Sequence, residues 1–426
     1  MDNEYAFEMS TSSIRYGKGV SREIGPDLAD LGVNRVMIVT DPDLCKLPPV
    51  EKVISSIAAQ NISYDLFAEA RVEPTDASLQ KAIAFAMSKQ FDAFVAVGGG
   101  SSIDTAKAAN LYSTYPPADF MDYVNPPIGN GLPAPGELKP LFAVPTTAGT
   151  GSETTGVVIF DLEKMRAKTG IAHRRLKPTL GLIDPENAKT MPPLVAACTG
   201  LDVLTHAIES YTALPFTERP RPEKPVLRPA YQGSNPISDI WSLQAMRLID
   251  RYLITAVKDP ENEEARGMMM MAASFAGVGF GNAGVTLPHG MSYPVSGMVR
   301  DYCPDEYPVD YAIVPHGMAV VLNAPAAFRF TASACPERHL KAAEALGVDV
   351  SGAKPEDAGS IISTKVIDIM KALNIPNGLG AIGYTKADIP KLVEGTLPQH
   401  RVIKLSPRPV GEAELTRIFE DAMMYW

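Results

Sequence analysis

Asp202 and His206 stand four residues apart in GLDVLTHAIESY, the stretch from Gly200 to Tyr211. On a helix that spacing puts a carboxylate and an imidazole on one face, one turn apart, where both can close on a single cation. Two further histidines lie in matching contexts downstream, His289 in LPHGM and His316 in VPHGM. One carboxylate with three imidazoles suits Fe(II), Zn(II) or a similar divalent ion better than calcium or magnesium. Beside a nicotinamide, such an ion would polarise a carbonyl or stabilise an alkoxide before hydride leaves. The spacing therefore predicts one metal held by Asp202, His206, His289 and His316.

The elements that must position these residues differ between the two halves of the chain. From Arg35 the sequence reads RVMIVTD, an apolar run ending in a carboxylate, and from Phe91 it reads FDAFVAVGGGSSIDTAKAANLY. The second is a buried strand, three glycines, serines able to cap, and a helix. Glycines there let a diphosphate approach the backbone, and a helix N-terminus offers free N–H groups. It is not the GxGxxG pattern; a plain tight turn is the competing reading, with Asp104 satisfying the helix dipole. Another strand end follows in LFAVPTTAGTGSETT, whose hydroxyls and exposed amides suit a sugar or phosphate ligand. Strands separated by helical stretches predict a mostly parallel sheet, with ligands beyond its carboxyl ends.

After Pro193 the strand signals give way to helical stretches at 194–211, 237–258, 263–277, 316–328, 337–346, 358–373 and 413–425. This predicts two domains: an α/β dinucleotide-binding domain over 1–193, and an all-α domain over 194–426 carrying metal and substrate, with a cleft between them. A composition of 46% hydrophobic and 21% charged residues is that of a soluble globular protein. A net charge of -10 argues against nucleic acid as a partner and leaves a small anionic substrate open. Four cysteines without a CxxC suggest a reducing compartment. No signal peptide is visible in the chain as given, so the expected location is cytoplasmic, or the mitochondrial matrix if a transit peptide has been removed. The uncharged run from Met268 to Pro288 reads as a buried helix and tight loop rather than a membrane span. His173, with only basic neighbours, reads as a solvated surface residue, and Cys198 as a small packing residue.

GGGSSIDTAK, PTTAGTGSE, GLDVLTHAIE and the two HGM segments resemble the iron-containing (group III) alcohol dehydrogenase family, of dehydroquinate-synthase-like fold. The resemblance implies an N-terminal dinucleotide-binding α/β domain, an all-α C-terminal domain, and the same four metal-ligand positions. It further implies nicotinamide contacts from Asp41, Gly98, Gly99, Gly100, Ser101, Ser102, Asp104, Thr146, Thr147, Thr150, Ser152, Lys168 and Val195. An acidic residue at position 41 would accept ribose hydroxyls and disfavour a 2'-phosphate, hence NAD over NADP. From Tyr5 onward, YAFEMSTSSIRYG, RPAYQGSNPISDIW, HGMSYPVSG and LVEGTLPQHRV are similar to the hydroxyacid-oxoacid transhydrogenase subgroup. That likeness implies oxidation of 4-hydroxybutyrate coupled to reduction of 2-oxoglutarate through a nicotinamide that is not released. The alternative is an NAD-dependent alcohol dehydrogenase for short alcohols or diols. Relatives associate, so a homo-oligomer is expected.

Two departures from the broader family bear on the chemistry. Where many members carry another histidine, four residues after the third ligand, this chain has Tyr293, which either relays a proton in catalysis or packs in the core. His289 and His316 are 27 residues apart, a long separation, and the intervening loop 298–310 carries Arg300. A second basic segment, LPFTERPRPEKPVLRPAY at 214–231, holds its guanidinium groups among prolines, which limits the ordering cost of binding. Arg228 or Arg300 is therefore expected to bind the remote carboxylate of a hydroxyacid.

Overall fold

The computed structural model describes residues 2–426 apart from Arg166 and Pro308, the second of which lies in the loop 298–310. The chain divides into two compact units: Ser10–Met191 with Pro260–Gly277, and Met1–Met9 with Pro192–Asp259 and Val278–Trp426. The junction at 191/192 lies beside the expected break at 193, but two segments change sides. Composition could not mark the second exchange, because it falls within one unbroken helix, Glu263–Ala283.

In the first unit, eight strands follow in chain order: β1 (Ser13–Tyr16), β2 (Arg35–Val39), β3 (Ser63–Phe67), β4 (Ala93–Gly98), β5 (Leu141–Pro145), β6 (Val157–Leu162), β7 (Ala167–Ala172) and β8 (Leu180–Ile183). Six form a parallel sheet in the order β1-β8-β5-β4-β2-β3, while β6 and β7 pair antiparallel. Helices α1 (Ile24–Asp30), α2 (Pro48–Ala59), α3 (Asp76–Met87) and α4 (Gly100–Thr114) cover the sheet. Successive side chains of a strand point to opposite faces. Val36, Ile38, Val95 and Val97 accordingly pack with Ile24, Leu28, Val53 and Ile57, while Met37, Val39, Phe94 and Ala96 pack with Ala82, Ala86, Ile103 and Ala106. Burial on both faces is why β2, β4 and β5 read as continuous apolar runs. The edge strands β1 and β3 are half exposed and carry no such run.

Gly98 pairs with Pro145, so both glycine-rich loops leave the ends of adjacent strands. Beneath them Lys107 is fully buried; its Nζ donates to Ser152 Oγ at 2.5 Å and to the Val157 carbonyl at 3.0 Å, with Asp104 at 3.3 Å. Asp104 also accepts from Ser152 Oγ at 2.5 Å and from the Ile159 amide at 2.9 Å. This network ties α4, the second loop and β6 together.

The second unit is helical: α5 (Pro193–Thr212), α6 (Pro236–Lys258), the C-terminal part of α7 (Glu263–Ala283), α8 (Leu287–Gly297), α9 (His316–Val321), α10 (Ala324–Thr331), α11 (Pro336–Ala345), α12 (Ala358–Ala372), α13 (Ile389–Thr396), α14 (His400–Ile403) and α15 (Glu412–Asp421). The single helix expected over 316–328 is two, because Pro325 opens the second. After Ala283 the chain turns through Gly284, at φ 99°, and α8 departs at 102° to α7. Among the described residues no single helix is long and apolar enough to cross a membrane, although this bent pair passes on length and composition together. Cys198 is buried in α5, which pushes its thiol up to about 12. His173 departs from the surface reading: it is half-buried, its Nδ1 accepts from the Arg175 amide, and burial with Arg175 and Arg174 lowers its pKa.

Lys107→Met would leave the Asp104 carboxylate without its buried cation, at an expected cost of about 3–5 kcal/mol. The loss should appear as a lower urea midpoint, with partial recovery in Lys107→Met/Asp104→Asn; an unchanged midpoint would show that the network holds nothing together.

Candidate metal centre

The helix α5 places Asp202 and His206 one turn apart, as their spacing requires, and both are buried. His289 lies in the first turn of α8 and His316 is the first residue of α9. The Nε2 atoms of His206, His289 and His316 lie 3.6, 3.5 and 3.8 Å from Asp202 Oδ1. Ligands about 2.1 Å from a shared ion in a tetrahedron stand about 3.4 Å apart, close to this spacing. Asp202 Oδ1 and His289 Nε2 are both buried without a hydrogen-bond partner in the described structure. Buried polar atoms left without partners at these distances fit a shared cation.

Three surrounding residues fix the cluster, and none of them figured in the sequence expectations. Glu209, fully buried on α5, accepts from the Thr286 amide at 2.9 Å and the His289 amide at 3.2 Å through Oε1, which satisfies the start of α8. Its Oε2 meets His289 Nδ1 in a short hydrogen bond. A carboxylate in that position accepts, so Nδ1 donates and Nε2 is the atom turned toward Asp202. Glu209 is three residues from His206 in HAIE, a helical neighbour that the spacing could have disclosed. Phe280 of α7 stacks on the His206 ring at 3.9 Å and 12°, holding its plane. Gly317 brings α9 against α5: a Cβ there would lie 1.9 Å from the Cys198 carbonyl oxygen and 2.9 Å from Asp202 Cβ. The glycine after His316 is thus a packing requirement.

The electrostatics follow from burial and from these neighbours. Burial disfavours the Asp202 charge, but the facing imidazoles of His206, His316 and His289 hold the group below the usual carboxylate range. For His206 burial prevails over Asp202 and pushes the ring down to about 3, which leaves it neutral. At His289, burial is outweighed by Glu209 and Asp202, and the ring is pushed up to about 10. A divalent ion at Nε2 would compete with that proton.

Most nicotinamide candidates gather in the sheet unit at the ends of β4 and β5. Gly98, Gly99, Gly100, Ser101 and Ser102 run from β4 into α4, whose N-terminus carries no side-chain cap. Thr146, Thr147, Thr150 and Ser152 form the neighbouring loop. A Cβ on Gly100 would meet Thr150 Cγ2 at 2.4 Å, so this glycine serves the contact between loops as well as any ligand. Asp104 and Ser152 are partners in the Lys107 network, which supersedes a helix-dipole role for Asp104. Asp41 follows β2, and its Oδ1 accepts from the Asp43 and Leu44 amides. Lys168 is buried between Glu73 at 2.7 Å and Asp161 at 3.1 Å. Val195 belongs to the helical unit, in the first turn of α5.

The expected carboxylate binders are otherwise engaged. The guanidinium of Arg228 is held by both oxygens of Glu4 at 3.0 Å, part of the tie between the loop 214–231 and the N-terminal segment. Arg300 is exposed and paired with Asp388. Spacing could not reveal either partner, because both are far away in sequence. Tyr293 is buried on α8, one turn beyond His289, and its hydroxyl accepts from Arg401 Nη2 at 3.0 Å.

Comparison with known proteins adds to this geometry. Residues 11–185 match the family described as iron-containing alcohol dehydrogenase, and residues 230–423 match the C-terminal part of the Fe-containing alcohol dehydrogenase family. A mitochondrial hydroxyacid-oxoacid transhydrogenase of Xenopus tropicalis is 58% identical over 421 residues, 99% of this chain and 91% of that protein. Among solved structures, a 1,3-propanediol oxidoreductase aligns with a TM-score of 0.85 at 27% identity, over 98% of this chain and 100% of its own. A sulfoacetaldehyde reductase of Bifidobacterium kashiwanohense, solved in complex with NAD+, aligns with a TM-score of 0.80 at 25% identity over 99% of each chain.

His206→Ala or His289→Ala should abolish divalent-metal binding in elemental analysis of folded protein; full metal content in either variant would disprove the ligand assignment. Glu209→Gln retains a hydrogen-bonding group at the Oε positions but removes the charge behind His289. It is expected to weaken metal binding by about 10- to 100-fold in chelator competition, against no change if Glu209 only packs.

Proposed function

The chain belongs to the iron-containing alcohol dehydrogenase family, and from that premise we propose that it is a hydroxyacid-oxoacid transhydrogenase using NAD and a divalent metal, iron in the first instance. It would oxidise 4-hydroxybutyrate to succinate semialdehyde and return the hydride to 2-oxoglutarate, giving 2-hydroxyglutarate. The observation that carries the metal-dependent chemistry is the convergence of three imidazole Nε2 atoms on the orphaned Oδ1 of Asp202. The 58% identity to a protein of that name supports the substrate pair.

Asp202, His206, His289 and His316 would hold the metal, which when bound supplies a Lewis acid toward a hydroxyl or carbonyl oxygen. Glu209 and Phe280 keep His289 and His206 in a fixed orientation, so little reorganisation is needed at the reacting oxygen. The tight packing of α5, α8 and α9 limits water around these groups. Tyr293, with its oxygen already accepting from Arg401, can direct its own O–H toward a substrate oxygen and pass or receive the hydroxyl proton; a bound water is the other acceptor. In the sheet unit the uncapped N-terminus of α4 suits the diphosphate of NAD. Asp41 Oδ2 would accept from a ribose hydroxyl, while Oδ1 serves the Asp43 and Leu44 amides.

The relatives' names support the mitochondrial matrix as the site of action in preference to the cytoplasm. A dehydrogenase for short alcohols or diols is the second reading, favoured by the likeness to a 1,3-propanediol oxidoreductase.

Metal-loaded protein given 4-hydroxybutyrate and 2-oxoglutarate, with no free NAD added, should form succinate semialdehyde and 2-hydroxyglutarate in equal amounts over many turnovers. Product formation that stops at one equivalent, and resumes only in proportion to added NAD, would favour the simple dehydrogenase.

A further inference from the structure

Arg401, in α14, carries a buried charge that the protein leaves incompletely answered. Its Nη2 donates to the Tyr293 hydroxyl at 3.0 Å, and its guanidinium carbon lies 4.7 Å from the centre of the Tyr231 ring. Nη1 is buried and has no hydrogen-bond partner in the described structure. Burial opposes the charge, and the groups that favour it are the two tyrosines, with no carboxylate among them. Several other enclosed cations face an acid: Lys107 faces Asp104, Lys168 faces Glu73 and Asp161, Arg228 faces Glu4, and Arg338 faces Asp239, while the buried Arg266 donates to the carbonyls of Ala188 and Met191. A buried guanidinium without an anion costs stability unless an anion arrives.

Its position says which anion. Tyr293 stands one turn along α8 from His289. Tyr231 meets Phe280 edge-on at 6.4 Å, and Phe280 stacks on His206. Tyr231 and Phe280 therefore link Arg401 to His206, and Tyr293 links it to the helix that carries His289. A small molecule whose oxygen lay at the histidine cluster would carry its far end, across a short aliphatic spacer, toward Nη1.

We infer that Arg401 is the specificity-determining residue of this site, binding through its Nη1 edge the carboxylate remote from the reacting carbon in both the hydroxyacid and the oxoacid. The inference rests on the hydroxyacid reading proposed above and names the residue that enforces it. Guanidinium geometry matches a carboxylate in a way that an ammonium does not. Arg401 thus takes the role expected of Arg228 or Arg300, whose charges are matched by Glu4 and Asp388.

The test compares kcat/KM for 4-hydroxybutyrate with that for its uncharged analogue 1,4-butanediol, in metal-loaded wild-type protein, Arg401→Met and Arg401→Lys. The expected result is a wild-type preference for the acid that falls about 10- to 100-fold in Arg401→Met, mainly through KM, and by an intermediate factor in Arg401→Lys. Wild-type preference with an unchanged acid-to-diol ratio in Arg401→Met overturns the role of Arg401 and leaves the hydroxyacid reading standing. A wild type without preference for the acid overturns both. Should Arg401→Met fail to fold by circular dichroism, Arg401→Lys decides, together with equilibrium binding of glutarate: weaker binding and a reduced ratio support the assignment, and wild-type values for both refute it.

Discussion

A carboxylate oxygen faces three imidazole nitrogens at 3.5 to 3.8 Å, with Asp202, His206 and His289 buried and His316 partly exposed, an arrangement that a divalent cation would satisfy. Much of the helical unit is explained by the need to hold that arrangement. Helix α5 supplies Asp202, His206 and the supporting Glu209 from one segment, so the two candidate ligands and the residue that orients His289 share one helix. Gly317 lets α9 touch α5 closely enough to bring in His316. Glu209 both satisfies the first amides of α8 and turns His289 toward the site, coupling helix capping to ligand orientation.

The sheet unit is organised around the carboxyl ends of β4 and β5. Parallel pairing of β4 with β5 sets two polar loops at neighbouring strand ends, and the buried Lys107 joins Asp104 to Ser152 below them. Several side chains credited with cofactor contact are thus also parts of the scaffold. The two roles are compatible: a loop held by internal bonds pays its ordering cost on folding rather than on binding.

Charge pairing decides which arginines are available to a substrate. Arg228 of the proline-rich segment 214–231 and Arg300 of the loop 298–310 are paired with Glu4 and Asp388. Arg401 sits inconspicuously in LPQHRV, yet it is the one that tertiary packing buries beside Tyr293 and Tyr231 without an acid. No periodicity or motif distinguishes it, because what matters is an Nη1 atom that meets no acceptor among the described residues.

Read alone, the sequence determined what depends on local spacing. The Asp202/His206 pair followed from helical period, the buried strands β2, β4 and β5 from apolar runs, and the positions of the two glycine-rich turns from strand followed by helix. His289 and His316 could be nominated from their shared context, and their meeting at Asp202 was decided by the packing of α8 and α9 on α5. The half-exposed edge strands, the exchange of segments within α7, the partners of Arg228 and Arg300, and the buried, unpartnered Nη1 of Arg401 were likewise settled only in three dimensions. The physical reason is common to all of them: desolvation and charge pairing act between groups that are close in space, and separation along the chain carries no record of that distance.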